Sequence, residues 1–380
     1  MRLRYQLSLF TVIRAIFNTM HRMIYPFLGV FARGLGVEIA DLSLALTARS
    51  IIGTFGPFIA TVADQRGRKF GMLLGLGVFT TGVGIVIFFP TLAGLTVSLI
   101  LSTIGKYIFD PGMQAYIGDR VPYTRRGLAI AITEFGWSLA FILGIPLMGF
   151  IIARSGWMSP FPLLATLGLL SFIGLFYLLP KDDHTPHPDA TIFSNVRLVL
   201  ASVPALAGIS IGIWMSAANE VVNLVFGVWL EDSFALKIAA LGAASAVIGL
   251  SELGGEGLVA LFSDRLGKRG SVAGGLILNS LAALSLPLLG RSEVGALIGL
   301  FLFYITFEFT IVSVIPMMTE VMPQARATMM AFNVSGLSLG RAIGAPLATW
   351  LYGYSFIAVT VGAALLNILA LLALRRMTRQ

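Results

Sequence analysis

The chain has 380 residues, of which 57% are hydrophobic and 12% are charged, and it contains no cysteine. With a mean hydropathy of +0.90, this composition excludes an ordinary soluble domain and indicates a polytopic membrane protein. The lack of cysteine excludes disulfides and thiolate metal sites. The formal net charge of +8 lies mainly at predicted helix ends, so it indicates topology and not a nucleic-acid partner.

Breaks at glycine, proline and charge clusters divide the chain into twelve helices, each close to the roughly 20 apolar residues that cross a bilayer. A polar, proline-containing linker at 181–195 separates six helices from six. The sequence therefore predicts an all-α integral membrane protein with an N-terminal bundle at 1–180 and a C-terminal bundle at 196–380. The predicted spans are 6–32, 40–63, 70–90, 93–117, 127–153, 160–180, 196–229, 236–262, 270–289, 295–318, 327–350 and 354–374.

Basic residues in the short loops predict the orientation of the helices. Most of them fall on one side, whereas the opposite loops hold only Arg33, Arg154, Lys237 and Arg291. Because positive loops stay cytoplasmic, we expect a multi-pass protein of the cell membrane, inner or plasma, with both termini cytoplasmic.

The two halves repeat each other in sequence. Residues 64–69 read Asp-Gln-Arg-Gly-Arg-Lys, and residues 264–269 read Asp-Arg-Leu-Gly-Lys-Arg. The same shift superposes Gly136 on Gly336, and a slightly smaller shift aligns the first helix of each half. Such duplication predicts two pseudo-symmetric six-helix bundles with a substrate site at their interface, as in transporters that work by alternating access.

The segment at 64–69 resembles the D-R-x-G-R-[RK] loop signature of the major facilitator superfamily, and the segment at 264–269 echoes it. This resemblance implies the superfamily's twelve-helix fold, a transporter without a cofactor, a monomer, and a cytoplasmic gate at these loops. Glu134, within about two turns of a cytoplasmic helix end, is added to the gate for its position. The gate residues are then Asp64, Arg66, Gly67, Arg68, Glu134, Asp264, Gly267 and Lys268.

Within the superfamily the chain resembles the 12-span drug and metabolite proton antiporters. Glu220 and Glu308 occupy places where such antiporters carry acidic residues. The antiporter signature of helix 5 is present at 140–149 with its Gly-Pro step split by Ile145, and Leu99 stands where those families often carry arginine. The resemblance therefore implies proton-coupled export, with an incomplete helix 5 signature.

Ionisable residues inside predicted spans are costly in lipid and indicate functional sites. Arg14, Asn18 and Arg22 recur every fourth residue and form one polar stripe on the first helix, while Lys106 and Asp110 share a face of the fourth. We expect these side chains to face away from lipid, towards substrate. The predicted substrate-binding residues are Arg14, Asn18, His21, Arg22, Tyr25, Arg49, Lys106, Asp110, Asn219, Asn223 and Arg341.

The intramembrane charges are mostly basic in the first half and mostly acidic in the second. We expect the basic half to anchor an anionic or polar substrate, and Glu220, Glu308 and Asp110 to bind and release protons as access alternates. The alternative is that Arg22 with Glu220, and Lys106 with Asp110, form fixed pairs that only neutralise each other.

The predicted function is proton-coupled efflux of a drug-like compound or metabolite. Alternatives are uptake or facilitated transport of an organic anion, export of a lysolipid or other amphiphile, and, in a different class, a channel or receptor. An enzyme would require a cluster of nucleophile, base or metal ligands. No such set is evident, and His184 and His187 in the linker have no further ligands nearby.

Overall fold

The computed structural model describes residues 3–60, 67–180 and 196–377, without the side chains at 123, 124, 127, 264, 324 and 327. Every regular element of the described N-terminal half is a helix. These are α1 (Leu3–Arg22), α2 (Leu28–Leu35), α3 (Ile39–Thr54), α4 (Gly56–Ala60), α5 (Arg68–Phe88), α6 (Leu92–Arg120), α7 (Tyr123–Leu139), α8 (Ile145–Ser155) and α9 (Pro160–Leu178), with a π-helical segment (Ala140–Gly144) joining α7 to α8.

The described C-terminal half is also helical. Its elements are α10 (Val196–Ala201), α11 (Val203–Phe234), α12 (Ile238–Leu266), α13 (Lys268–Leu289), α14 (Glu293–Val321), α15 (Arg326–Tyr352) and α16 (Phe356–Arg376), with one 3₁₀ turn (Pro323–Ala325) before α15. The all-α prediction is confirmed.

The chain forms two compact units. The N-terminal unit comprises Met1–Asp189 with Lys237–Ala246, and the C-terminal unit comprises Ala190–Leu236 with Val247–Gln380. The start of α12 therefore belongs to the N-terminal unit. The predicted linker at 181–195 lies outside the described residues, and the predicted domain division stays a prediction.

Within the described part of the chain, nine helices are long and apolar enough to cross a bilayer. The predicted first, second and eleventh spans are helical as well, at 3–35, 39–60 and Arg326–Tyr352. Each of these three holds an arginine within the helical stretch: Arg14, Arg49 or Arg341. The helix of the second span, α3, has only 16 residues, and the arginines lower the hydropathy of all three spans.

The predicted first span is interrupted. Its helix α1 ends at Arg22 and α2 begins only at Leu28, where the sequence predicted one helix over 6–32. Pro26 explains the break, because it lacks an N–H and its ring clashes with the carbonyl four residues earlier. Inside lipid such a break requires other partners for the freed carbonyls.

Glycines bring neighbouring helices close together inside the N-terminal unit. A Cβ added to Gly75 of α5 would lie 2.6 Å from the carbonyl oxygen of Gly105 in α6, and a Cβ on Gly105 would collide with the carbonyl of Gly75. Small residues allow this backbone contact, which is a common means of helix association in membranes.

The sequence duplication reappears as duplicated contacts. A Cβ on Gly136 of α7 would lie 2.6 Å from the carbonyl oxygen of Thr11 in α1, and a Cβ on Gly336 of α15 would lie 3.1 Å from that of Ile209 in α11. Equivalent glycines therefore allow equivalent helix pairs to pack closely, α7 on α1 in one unit and α15 on α11 in the other, as the internal repeat predicted.

Candidate substrate and proton site

Four charged side chains meet inside the N-terminal unit, and we call Arg14, Lys106, Asp110 and Glu134 the polar cluster. Arg14 Nη1 lies 2.6 Å from Glu134 Oε1, and Arg14 Nε lies 3.4 Å from Asp110 Oδ1. Lys106 Nζ lies 2.6 Å from Asp110 Oδ2. The Arg14 side chain is only 6% exposed, whereas that of Glu134 is 43% exposed. Two cations and two carboxylates therefore form one continuous network.

Packing of three helices positions the polar cluster. The ring of Phe17 in α1 stacks on Phe109 in α6 with centroids 5.3 Å apart, which sets Arg14 opposite Asp110. The hydroxyl of Thr11 in α1 donates to the carbonyl oxygen of Ile132 in α7 at 2.9 Å. Apolar stacking and one interhelical hydrogen bond thus fix the charged groups.

Trp137 of α7 adds an aromatic face to the polar cluster. The guanidinium carbon of Arg22 lies 3.7 Å from the Trp137 ring centroid and 4.2 Å from that of Phe141. Lys106 Nζ lies 5.5 Å from the same indole. Cations stabilised on aromatic faces retain donors for further partners, so Arg22 can bind other groups while stacked.

The π-helical segment Ala140–Gly144 begins three residues after Trp137. Such segments are rare and frequently occur at functional sites. Pro146 lacks the N–H that would bond back into this turn, and a Cβ on Gly144 would collide with Thr19 of α1. The incomplete antiporter signature at 140–149 therefore coincides with an irregular turn packed on α1.

Arg49 bridges the break in the first span. Its Nη1 donates to the carbonyl oxygen of His21 at 2.7 Å, and its Nη2 donates to the hydroxyl of Tyr25 at 2.6 Å. The side chain is buried. A cation at a helix C-terminus is favoured by the helix dipole, so Arg49, His21 and Tyr25 are joined in stabilising the end of α1.

Three residues of α11 that the sequence singled out lie inside the C-terminal unit: Asn219 and Glu220 are buried, and Asn223 is half-buried. Glu220 is 1% exposed, Asn219 is buried, and the Tyr304 hydroxyl of α14 donates to Asn223 Oδ1 at 2.8 Å. A Cβ on Gly344 of α15 would lie 2.7 Å from Glu220 Cβ. Close approach of α15 therefore encloses the Glu220 carboxylate.

Two other predicted charges lie elsewhere in this unit. Glu308 of α14 is half-buried and packs against α12, where a Cβ on Gly255 would lie 2.6 Å from Glu308 Cβ. Arg341 of α15 is half-buried.

The glycines of the two predicted gate segments, Gly67 and Gly267, adopt matching backbone conformations. Gly67 precedes α5 with φ +98° and ψ 152°, and Gly267 precedes α13 with φ +72° and ψ 153°. Only glycine adopts this region readily, which is the backbone freedom that the sequence predicted. Asp64, Arg66 and the side chain of Asp264 lie outside the described residues.

The helices after these glycines carry matching ion pairs. Arg68 Nε lies 3.4 Å from Asp119 Oδ2 at the end of α6, and Lys268 pairs with Glu320 near the end of α14. Lys69 Nζ donates to the carbonyl oxygen of Leu179, after α9, at 2.6 Å. An ion pair therefore joins the start of α5 to the end of α6 in one unit, and the start of α13 to the end of α14 in the other.

The sequence singled out Arg14, Lys106 and Asp110, and the structure brings them together. The Glu134 side chain contacts Arg14, and its predicted role at the gate stays a prediction. Trp137 was missed, although its position one turn after Glu134 places it on the same helix face. No group of three His, Cys, Asp or Glu side chains that could hold a metal occurs among the described residues.

The family model described as Major Facilitator Superfamily matches residues 7–307 and 209–380 of the chain. The chain is 25% identical over 349 residues to the inner membrane transport protein YdhP of Escherichia coli K12, covering 89% of the chain and 88% of the relative. It is 24% identical over 208 residues to the quinolone resistance protein NorA of Staphylococcus aureus, covering 53% of each.

Solved structures share the fold at low sequence identity. A bacterial homologue of the human lysosomal transporter Spinster, in an inward-facing and unoccupied conformation, matches with a TM-score of 0.77 and 14% identity over 98% of this chain and 96% of that one. A peptide transporter POT variant in complex with sulfate matches with a TM-score of 0.80 and 14% identity over 98% and 94%.

Proposed function

The chain belongs to the Major Facilitator Superfamily, and on that premise we propose that it exports a drug-like compound or metabolite in exchange for protons. The proposal includes a monomer in the cell membrane with both termini cytoplasmic, the orientation that the loop charges predict. Proton influx would drive substrate efflux by alternating access.

The polar cluster is the observation that carries this proposal. Asp110 faces Arg14 and Lys106, and Glu134 faces Arg14. A proton on Asp110 removes the charge that holds Lys106, because a neutral carboxyl no longer attracts an ammonium. A cationic substrate group that pairs with Asp110 favours its charged form and therefore favours release of the proton. The cluster thus supplies a physical exchange between proton and substrate.

Glu220 and Glu308 are the corresponding proton-binding candidates in the C-terminal unit. A charged carboxylate within a span is costly, and Glu220 is almost fully buried. Protonation would lower this cost during one half of the transport cycle. We therefore include both residues in the coupling machinery.

Similarity to NorA supports efflux of a drug-like molecule, since that protein is named for quinolone resistance. A second candidate, transport of an organic anion, is favoured by the excess of cations in the N-terminal unit, where Arg22 and Arg49 add to the polar cluster. Surplus positive charge within a span favours an anionic ligand.

Purified protein in vesicles tests the function. A thermal-shift screen with quinolones, organic anions, sugars and lysolipids at two pH values identifies a substrate, and uptake of that substrate is then measured with and without a pH gradient. Asp110→Asn and Glu220→Gln should lose gradient-driven transport and keep counterflow. Glu293→Gln, at an exposed carboxylate at the start of α14, is the control outside the polar cluster. Full gradient-driven transport by both site variants would contradict proton coupling.

If the screen finds binding of both quinolones and organic anions, variants of the cationic residues distinguish the two candidate functions. Arg22→Ala and Lys106→Ala should weaken binding of the organic anion selectively if the second candidate is correct. Unchanged anion affinity in both variants would exclude it.

A further inference from the structure

A row of serine hydroxyls leads along α6 to the polar cluster. Ser98, Ser102, Lys106 and Asp110 recur every fourth residue, which places each beside the next in a row that turns by about 40° per step around the helix. Ser98 lies near the start of α6, and Asp110 lies about 18 Å further along the helix axis at 1.5 Å per residue. Under the proposed topology, the start of α6 is its extracellular end.

The hydroxyls in this row are buried without hydrogen-bond partners. Ser98 is 0% exposed and Ser102 is 6% exposed, and neither Oγ has a partner among the described residues. Serine in a helix commonly donates to the carbonyl one turn earlier, as Thr96 of the same helix does to Leu92 at 2.7 Å. Ser98 and Ser102 therefore differ from an ordinary helical hydroxyl.

The facing side of α1 contributes a further buried polar group. Asn18 is one turn beyond Arg14 and fully buried, and neither its Oδ1 nor its Nδ2 has a partner among the described residues. Asp110 Oδ1 lies 3.4 Å from Arg14 Nε, without the geometry of a hydrogen bond. Buried polar groups in proteins are nearly always hydrogen-bonded, to protein or to ordered water.

We infer that Ser98, Ser102 and Asn18 hold a file of water molecules that carries protons between the start of α6 and Asp110. The spacing fits at Ser98 and Ser102, because the step between them rises by about 6 Å and one water bridging two hydroxyls spans about 5.6 Å. The rise of about 12 Å from Ser102 to Asp110 takes about three further waters. The inference rests on the proposed proton coupling and names the route by which its proton travels.

The proton transfer balances without any further reactant. Hydronium at the inner end of the file gives a proton to Asp110 Oδ1, an O–H bond forms there, and water remains. The groups that face Asp110 are Arg14 from α1 and Lys106 from α6, with Glu134 of α7 joined through Arg14. Loss of the Asp110 charge weakens its pairs with both cations, which couples the file to the cluster.

Cysteine substitution tests for water in this row, since the chain contains no cysteine of its own. Silver ions are small enough to follow water, and they react with thiols that water reaches. Ser98→Cys and Ser102→Cys proteins in vesicles are treated with silver nitrate, and the remaining free thiol is counted after unfolding. Leu99→Cys is the matched control, because Leu99 is buried at the same depth of α6.

We expect silver to consume the thiols at 98 and 102 at least about tenfold faster than the thiol at 99. Equal reactivity at all three positions would overturn the water file. This readout does not depend on transport, so it separates failure of the file from failure of the proposed function.

A second experiment tests whether the file carries protons. The double variant Ser98→Ala/Ser102→Ala should slow gradient-driven transport about tenfold and leave counterflow unchanged, whereas Thr96→Val should change neither. If the row is instead dry, removal of two unsatisfied hydroxyls should raise the melting temperature and leave gradient-driven transport intact. That result would overturn the proposal.

Discussion

Arg14 Nη1 and Glu134 Oε1 lie 2.6 Å apart, although the arginine side chain is 6% exposed and the glutamate side chain is 43% exposed. The ion pair therefore connects a buried arginine in the N-terminal unit to a glutamate that solvent reaches. Through Arg14 the contact continues to Asp110 and Lys106. A change of charge at Glu134 is thus transmitted to the half-buried carboxylate of Asp110.

Removal of Arg14 should destabilise the protein strongly. In Arg14→Met, the two carboxylates of the polar cluster, Asp110 and Glu134, keep only Lys106 as a cation. We expect the free energy of unfolding to fall by about 3–5 kcal/mol, the usual cost of breaking a buried ion pair. Arg154→Met, at an exposed arginine of α8, should change stability by only about 0.5 kcal/mol. Unfolding in rising dodecyl sulfate measures both, and equal losses would contradict the structural role of the cluster.

Substitution of Gly67 should strain the loop before α5. Its φ of +98° with ψ 152° is a region that other residues enter at a cost of about 1–3 kcal/mol. Gly67→Ala should lower the free energy of unfolding by that amount, and Gly267→Ala should do the same in the C-terminal unit. Gly118→Ala, inside α6 with nothing within 4 Å of the added Cβ, is the control and should be neutral or stabilising. A neutral Gly67→Ala would refute the backbone argument.

Substitution of Gly105 should separate α5 from α6. Gly105→Ala forces a Cβ against the backbone carbonyl of Gly75, and such overpacking typically costs about 1–3 kcal/mol. Gly84→Ala, in α5 with open space around the added Cβ, should be tolerated. Thermal unfolding in detergent should show a lower melting temperature for the first variant alone; matching temperatures would argue against close packing here.

A pair of asparagines should couple three helices of the C-terminal unit. Asn279 Nδ2 of α13 donates to the carbonyl oxygen of Phe303 in α14 at 2.7 Å, and Asn367 Nδ2 of α16 donates to Asn279 Oδ1 at 2.8 Å. A double-mutant cycle with Asn279→Leu and Asn367→Leu should give a coupling energy of about 0.6–1.7 kcal/mol. The control cycle combines Asn279→Leu with Ser280→Ala. An equal coupling energy in the two cycles would contradict the interhelical hydrogen bond.

Helix positions could be predicted from sequence because apolar length alone places a segment in lipid. Predicted and observed boundaries agree within a few residues for the span at 93–117, observed as Leu92–Arg120, and for the span at 295–318, observed as Glu293–Val321. The break at Pro26 was missed, since a long apolar run continues on both sides of it. A proline in a membrane helix interrupts hydrogen bonds without interrupting hydropathy.

The candidate site was predicted in part. A separation of four residues put Lys106 and Asp110 on one face of α6, and their 2.6 Å contact within the helix follows from that separation. The contact of Glu134 with Arg14 joins residues 120 positions apart in the chain, and no local pattern encodes it. Ser98 lies four residues before Ser102 and so continues the row of Ser102, Lys106 and Asp110, and this could have been found from the sequence.

The sequence by itself determined the membrane solvent, the helical class, the internal duplication and the need for glycine at positions 67 and 267, because hydropathy, periodicity and repeated motifs are local properties of the chain. Only the tertiary structure decided that Arg14 pairs with Glu134 and Asp110, and that the hydroxyls of Ser98 and Ser102 are buried without partners among the described residues. Those outcomes depend on how α1, α6 and α7 pack, since charges and hydroxyls in lipid take their partners from neighbouring helices.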